Sequence, residues 1–239
     1  MKNNDSKIPK KDYRRMNSKI KKIAVIMGTR PEAIKLIPLI NELKKFNNHF
    51  EVSVCVTAQH RQMLDQVLKL FNITPDHDLD LMANDQSLVN LSSKILIEVS
   101  RTLASIDPDY VVVQGDTSTT LFSSIAAFYL NIKVIHIEAG LRTNNKRNPF
   151  PEEMNRRLTS HISDLHFCPT ESSKTNLLKE GISESQIRVV GNTVIDSLLT
   201  LVNKQRESGY HADMKNKFLV EHNLEIDKLK KIILFQMFL

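Results

Sequence analysis

Apolar residues along this chain alternate between two rhythms. Continuous apolar runs, as expected of strands buried on both faces, occupy 23–27, 50–57, 110–113, 133–137, 165–168 and 187–190. Between them apolar positions recur at helical spacing. Ile34, Ile37, Leu39, Ile40 and Leu43 mark a helix over 32–46, and Met63, Val67, Leu68 and Phe71 share one face of a helix over 60–71. Further helices are predicted over 88–106, through Ala126 and Ala127 to about Leu130, and over 152–162, 171–179 and 194–202. Leu79 and Leu81 predict a short strand inside an acid-rich loop. Pro31 suits a first helical turn, whereas Pro38 predicts a kink or break. Repeated strand–helix units imply an α/β fold, a Rossmann-like doubly wound parallel sheet covered on both faces.

Composition adds a boundary. The chain has 239 residues, 41% hydrophobic and 25% charged, as in globular proteins. Its net charge of +6 is uneven: residues 1–22 hold nine Lys or Arg against two Asp, leaving the rest near neutral. That stretch reads as a basic, disordered leader with little to bury, rather than a nucleic-acid or lipid contact. A Rossmann-like domain over 23–202 follows. Residues 203–239 read as a connecting region and the stub of a second domain, with a strand opening at Lys231 to Phe235. No apolar run approaches a membrane span, and no apolar signal core precedes Ile23. Neither a membrane nor a nucleic acid is expected as partner. Cys55 and Cys168 lie in apolar runs without metal-ligand spacing and read as buried free thiols of a reducing cytoplasm.

Candidate chemistry sits at the carboxyl ends of the predicted strands, where open α/β sheets bind ligands. The first strand empties into Gly28-Thr29-Arg30-Pro31-Glu32-Ala33-Ile34-Lys35. Gly28 would let backbone approach a ligand, and Arg30 and Lys35 could neutralise an anionic leaving group. Equally, Gly28 could be a plain turn and Lys35 a solvated helix residue. The loop is neither a G-x-G-x-x-G nor a Walker motif. Asp116, Glu138 and Glu152 could form an acid/base set, because carboxylates brought together have their pKa values pushed apart. Asp116 could instead cap the next helix, and one of Glu152 and Glu153 could simply suit the helix dipole. Glu138 ends an apolar strand, which is costly unless it points into a polar site. His60, His136, His161 and His166 lack metal spacing, and His136 reads as a hydrogen-bonded core residue. No nucleophile elbow is present.

Six collinear segments carry a resemblance: GTRPEAIKLIPLI at 28–40, VTAQHRQMLDQVLKLF at 56–71, QGDTSTT at 114–120, HIEAGLRT at 136–143, PFPEEMNRRLT at 149–159 and GNTVIDSL at 191–198. Together they resemble the non-hydrolysing UDP-N-acetylglucosamine 2-epimerases of bacteria. The resemblance implies the N-terminal domain of a glycosyltransferase-B-type two-domain fold. It also implies interconversion of UDP-GlcNAc and UDP-ManNAc through elimination and re-addition of UDP, without cofactor or metal, for cell-surface polysaccharide precursors. By the same resemblance, Arg30, Lys35, Asp116, Glu138 and Arg156 fall at the substrate site. Asp116, Glu138 and Glu152 fall on the acid/base carboxylates, with the order of their roles open. Gln59 and Gln62 resemble residues that bind a second, activating UDP-GlcNAc in some members, and a homodimer is implied. After Leu234 the chain departs from the family pattern, so it reads as a truncated N-terminal half with weak or absent turnover alone. Two alternatives stand beside this reading: a catalytically silent sugar-binding remnant, and a glycosyltransferase-B-type sugar transferase.

Overall fold

The computed structural model describes residues 20–58, 61–81, 86–207, 213, 216, 217 and 219–221. They fall in two units, one ending at Asn192 and one starting at Thr193. The first unit begins β1 (Lys21–Met27), α1 (Arg30–Lys45), β2 (Phe50–Val56), α2 (Arg61–Leu70), β3 (His77–Asp78), α3 (Leu88–Ile106), β4 (Tyr110–Gln114). It continues α4 (Ser118–Tyr129), β5 (Lys133–Ile137), α5 (Glu152–Ile162), β6 (Leu165–Cys168), α6 (Glu171–Lys179) and β7 (Ile187–Val189). The seven strands form one sheet in the order β3-β2-β1-β4-β5-β6-β7, and every neighbouring pair is parallel.

Strand alternation sends side chains to two separate cores. Val25 and Met27 face α1 and α2, meeting Leu36, Ile37, Ile40, Leu64 and Leu68. Ala24 and Ile26 face the other way, with Val111 and Val113, against Ile95, Val99, Leu103, Ala126 and Ala127. Helix starts are set by hydroxyl caps: Ser87, Thr117 and Thr170 accept from Asn90 N, Thr120 N and Ser173 N, each at 3.2 Å. Among the described residues no helix is long and apolar enough to cross a membrane. Cys55 and Cys168 are free and buried, as expected. Burial pushes their thiols up to about 12 and about 11, so neither is an activated nucleophile.

Four expectations are corrected. Helix α1 runs unbroken through Pro38. An interior proline costs about 3 kcal/mol, but Leu36, Ile37 and Ile40 are fully buried around it, and each contributes about 1.5–3 kcal/mol. On α2 the buried residue is Leu64, while Met63 is 41% exposed; Leu64 stands three and four positions before Val67 and Leu68, so these three share the face that meets the sheet. The short strand β3 is His77–Asp78, not Leu79 and Leu81. There Asp76 supplies a carboxylate oxygen to Val54 N at 2.7 Å. Finally, the cap of α4 is Thr117, not Asp116. In the second unit α7 (Val194–Glu207) is longer than its periodicity predicts. Most of the basic leader, Gln59, His60 and the strand expected at 231–235 lie outside the described residues.

Candidate functional site

Strand order reverses between β1 and β4, since β1 leads outward to β2 and β3 while β4 leads the other way to β5. Helix α1 then covers one face and α4 the other, so the turns after β1 and β4 flank a crevice at their carboxyl ends. Gly28 closes β1 in tight contact, and a Cβ there would overlap the hydroxyl oxygens of Thr57 and Thr119. Those two hydroxyls hydrogen-bond each other at 2.8 Å.

Glu138 follows β5 and points into this crevice. Its backbone is left-handed, φ 63°, unusual for a residue with a Cβ and a mark of a constrained site. Lys35 Nζ donates to both carboxylate oxygens, at 2.8 and 2.6 Å. Gln114 Nε2 donates to Oε2 at 2.5 Å, and Asn192 Nδ2 donates to Oε1 at 3.1 Å. Every one of these partners is a donor, so Glu138 is held as an acceptor by α1, the end of β4 and the exit from β7. Lys35 is therefore engaged with Glu138 and is not the solvated helix residue it could have been.

Asp116 stands on the turn after β4. Arg156 of α5 reaches it, Nη2 to Oδ2, at 2.5 Å, and Asn155 Nδ2 donates to its main-chain oxygen at 2.9 Å. Burial pushes the Asp116 carboxyl above the usual range; the Arg156 charge pulls it back, and the Glu152 and Glu138 charges push it up again. Asp116 thus feels the charges of both Glu152 and Glu138. Arg156 also approaches Glu153 at 3.5 Å. Glu153 is fully buried and accepts from Thr143 N and Asn144 N at 3.0 and 3.1 Å. It stands in the first turn of α5, as its sequence position implies, and in addition binds the loop after β5.

Arg30 opens α1 and makes no ion pair with the described residues. Gln62 is exposed on the first turn of α2, outside the Glu138 and Asp116 contacts. His136 is a core residue as expected: Nε2 meets Gly115 O at 2.7 Å, and burial pushes its pKa down to about 3. Sequence reasoning missed two buried carboxylates, Glu153 and Glu32. Glu32 did carry a signal, because Thr29-x-x-Glu32 after a strand is a capping-box pattern. Its carboxylate accepts from Thr29 N at 2.7 Å, which is half of that box.

The sequence model of the UDP-N-acetylglucosamine 2-epimerase family matches residues 41–228. The UDP-N-acetylglucosamine 2-epimerase of Escherichia coli (strain K12) is 50% identical over 213 residues, covering 89% of this chain and 55% of the relative. The crystal structure of UDP-GlcNAc 2-epimerase from Neisseria meningitidis bound to UDP-GlcNAc superposes with a TM-score of 0.80 at 49% identity, covering 84% of this chain and 54% of that one. The Methanocaldococcus jannaschii UDP-GlcNAc 2-epimerase in complex with UDP-GlcNAc and UDP gives 0.75 at 39% identity, over 82% and 53%. This chain spans about half the length of the curated relatives it matches. These superpositions bear out the fold class, the Rossmann-like N-terminal domain of a glycosyltransferase-B-type fold. By the family match and the shared sheet, the chain belongs to the UDP-N-acetylglucosamine 2-epimerases.

Proposed function

We propose that this chain supplies the sugar-handling, acid/base half of a UDP-GlcNAc 2-epimerase. The observation that carries this reading is the convergence of Lys35–Glu138 and Arg156–Asp116 on one crevice. In the reaction, a base removes the C2 proton while the C1–O bond to UDP breaks and its electron pair leaves with UDP. The remaining pair forms a C1=C2 double bond. Protonation of C2 on the opposite face and re-bonding of UDP to C1 give UDP-ManNAc. These steps are redox-neutral. Asp116, whose carboxyl is pushed upward by burial, suits a group that changes protonation during turnover. Glu138, ringed by donors, holds its geometry while charge moves, and Glu152 completes the carboxylate set. Arg30 is the cation available to the departing diphosphate, and Lys35 serves Glu138 first. Gln59 and Gln62 are assigned to a second, activating sugar nucleotide. The working enzyme is read as a cytoplasmic homodimer that supplies precursors for cell-surface polysaccharide.

The test follows UDP-GlcNAc in heavy water, reading deuterium at C2 and formation of UDP-ManNAc. The chain alone is compared with the chain joined to the remaining half of the E. coli relative. Turnover in the joined protein, lost in Asp116→Asn, supports the reading. A folded joined protein that binds UDP but never exchanges C2 overturns it. Binding of UDP-GlcNAc without exchange, in the chain alone and in the joined protein, would instead favour a catalytically silent sugar-binding role.

A further inference from the structure

Glu32 lies on the first turn of α1 and is only 2% exposed, yet it carries no part of the acid/base set. Its carboxylate collects four donors and one further hydroxyl contact. Oε2 accepts from Gly28 N, Thr29 N and Thr29 Oγ1, at 2.8, 2.7 and 2.9 Å. Oε1 accepts from Thr117 Oγ1 at 2.5 Å and contacts Thr120 Oγ1 at 3.2 Å. The first three belong to the turn that bears Arg30; Thr117 follows Asp116 as the cap of α4, and Thr120 lies in the first turn of that helix. An ordinary capping glutamate would serve its own helix start alone. This one spans both walls of the crevice, and residues 85 and 88 positions away complete it. Thr120 also donates to Gln114 O at 2.6 Å, and the Gln114 side chain holds Glu138. A continuous hydrogen-bonded path therefore runs from the Arg30 turn through Glu32 to the Thr117 hydroxyl, which accepts from Thr120 N at 3.2 Å, and on through Thr120 and Gln114 to Glu138.

We propose that Glu32 is a positioning residue: it locks the Arg30 turn to the Asp116 turn, so that the cation and the acid/base carboxylates meet one ligand in a fixed geometry. The ligand side of this inference rests on the epimerase reading above; the coupling of the two turns does not. Replacing one carboxylate oxygen by an amide NH2 puts a donor against donors, so Glu32→Gln breaks the lock at nearly constant volume. Small displacements of such groups are costly, about 10²-fold in rate for about 1 Å.

The full 239-residue chain is followed by hydrogen exchange with peptide resolution and by titration with UDP-GlcNAc. Glu32→Gln is expected to speed exchange about tenfold in both 28–31 and 114–120, the loss of roughly one net hydrogen bond. Asp164→Asn is the control, since it neutralises a carboxylate that accepts from Val134 N, at 2.8 Å, outside this network. It should leave both turns protected. Thr117→Val approaches the lock from its other side and should loosen 28–31, while Thr117→Ser should restore protection. The Thr117 pair decides the matter if Glu32→Gln fails to fold. Loosening confined to the mutated turn, or equal loosening by Asp164→Asn, overturns the proposal. If the native chain shows coupled turns but the joined protein never exchanges C2, the epimerase reading fails and the lock stands. Weaker binding in Glu32→Gln alongside coupled loosening supports both.

Discussion

Acid should destabilise this fold before its carboxylates are titrated, and the cause is a pair of histidines inside the sheet. His136 and His166 face each other across β5 and β6 and are both fully buried. Burial, reinforced by Arg142, pushes their pKa values down to about 3 and about 4. An unfolded histidine titrates near pH 6.5. Above that value both states are neutral and the full stability is present. As pH falls from about 6.5 toward about 4, the unfolded chain binds protons that the native chain refuses, so stability falls with pH. From about pH 7 to about pH 5 each histidine contributes a loss of about 2 kcal/mol, or about 4 kcal/mol for the pair. That is a large share of a typical domain's stability. Glu32 and Asp116, whose carboxyls are raised by burial, act in the opposite direction and bind protons first in the native state. The assay is equilibrium urea unfolding, followed by circular dichroism at several pH values. His136→Gln keeps a donor for Gly115 O but has no titration, so it should remove about half of the pH dependence. Equal stability at about pH 5 and about pH 7, or an unchanged slope in His136→Gln, would refute the reasoning.

Other outcomes follow from the same contacts. Gly140→Ala should destabilise more than Gly28→Ala, because at Gly140 a Cβ meets the main chain of Ser173 and φ is +89°, whereas at Gly28 it meets side-chain atoms of Thr57 and Thr119 and no left-handed backbone; thermal melts of the two variants rank them. Arg142→Met should cost about 3–5 kcal/mol in urea unfolding. The Arg142 guanidinium is 1% exposed, bonds Glu180 at 2.9 and 2.7 Å, and holds that carboxyl below its ordinary range. Glu138→Gln should abolish C2 deuterium exchange in the joined protein while leaving its circular dichroism unchanged, and retained exchange would remove Glu138 from the chemistry.

Sequence reasoning read the strands and helices well because buried parallel strands are short apolar runs and the helices between them are amphipathic. It erred where local patterns were degenerate. Met63 and Leu64 are both apolar neighbours, and only the packing of Val67 and Leu68 decides which one turns inward. Pro38 was read by its local cost, without the buried residues that outweigh it. The site was legible as a set of strand ends, but its pairings were not. Lys35 and Glu138 are 103 positions apart, and their contact depends on β1 and β5 flanking β4 in the sheet. Glu153 was legible only as an acid in a first helical turn, because its donors are main-chain N–H groups of a loop with no regular pattern.

The Glu138 site also ties the proposed acid/base geometry to the fold. A left-handed backbone at a residue with a Cβ costs about 1–3 kcal/mol. Hydrogen bonds to a charged group contribute about 1.5–3 kcal/mol each, so Lys35, Gln114 and Asn192 together outweigh that strain. None of these donors is local: they come from α1, the end of β4 and the segment after β7. Loss of any one shifts the balance toward relaxation of residue 138, which would swing the carboxylate out of the crevice. A strained carboxylate held by three distant elements keeps its position only when the whole parallel sheet is in register.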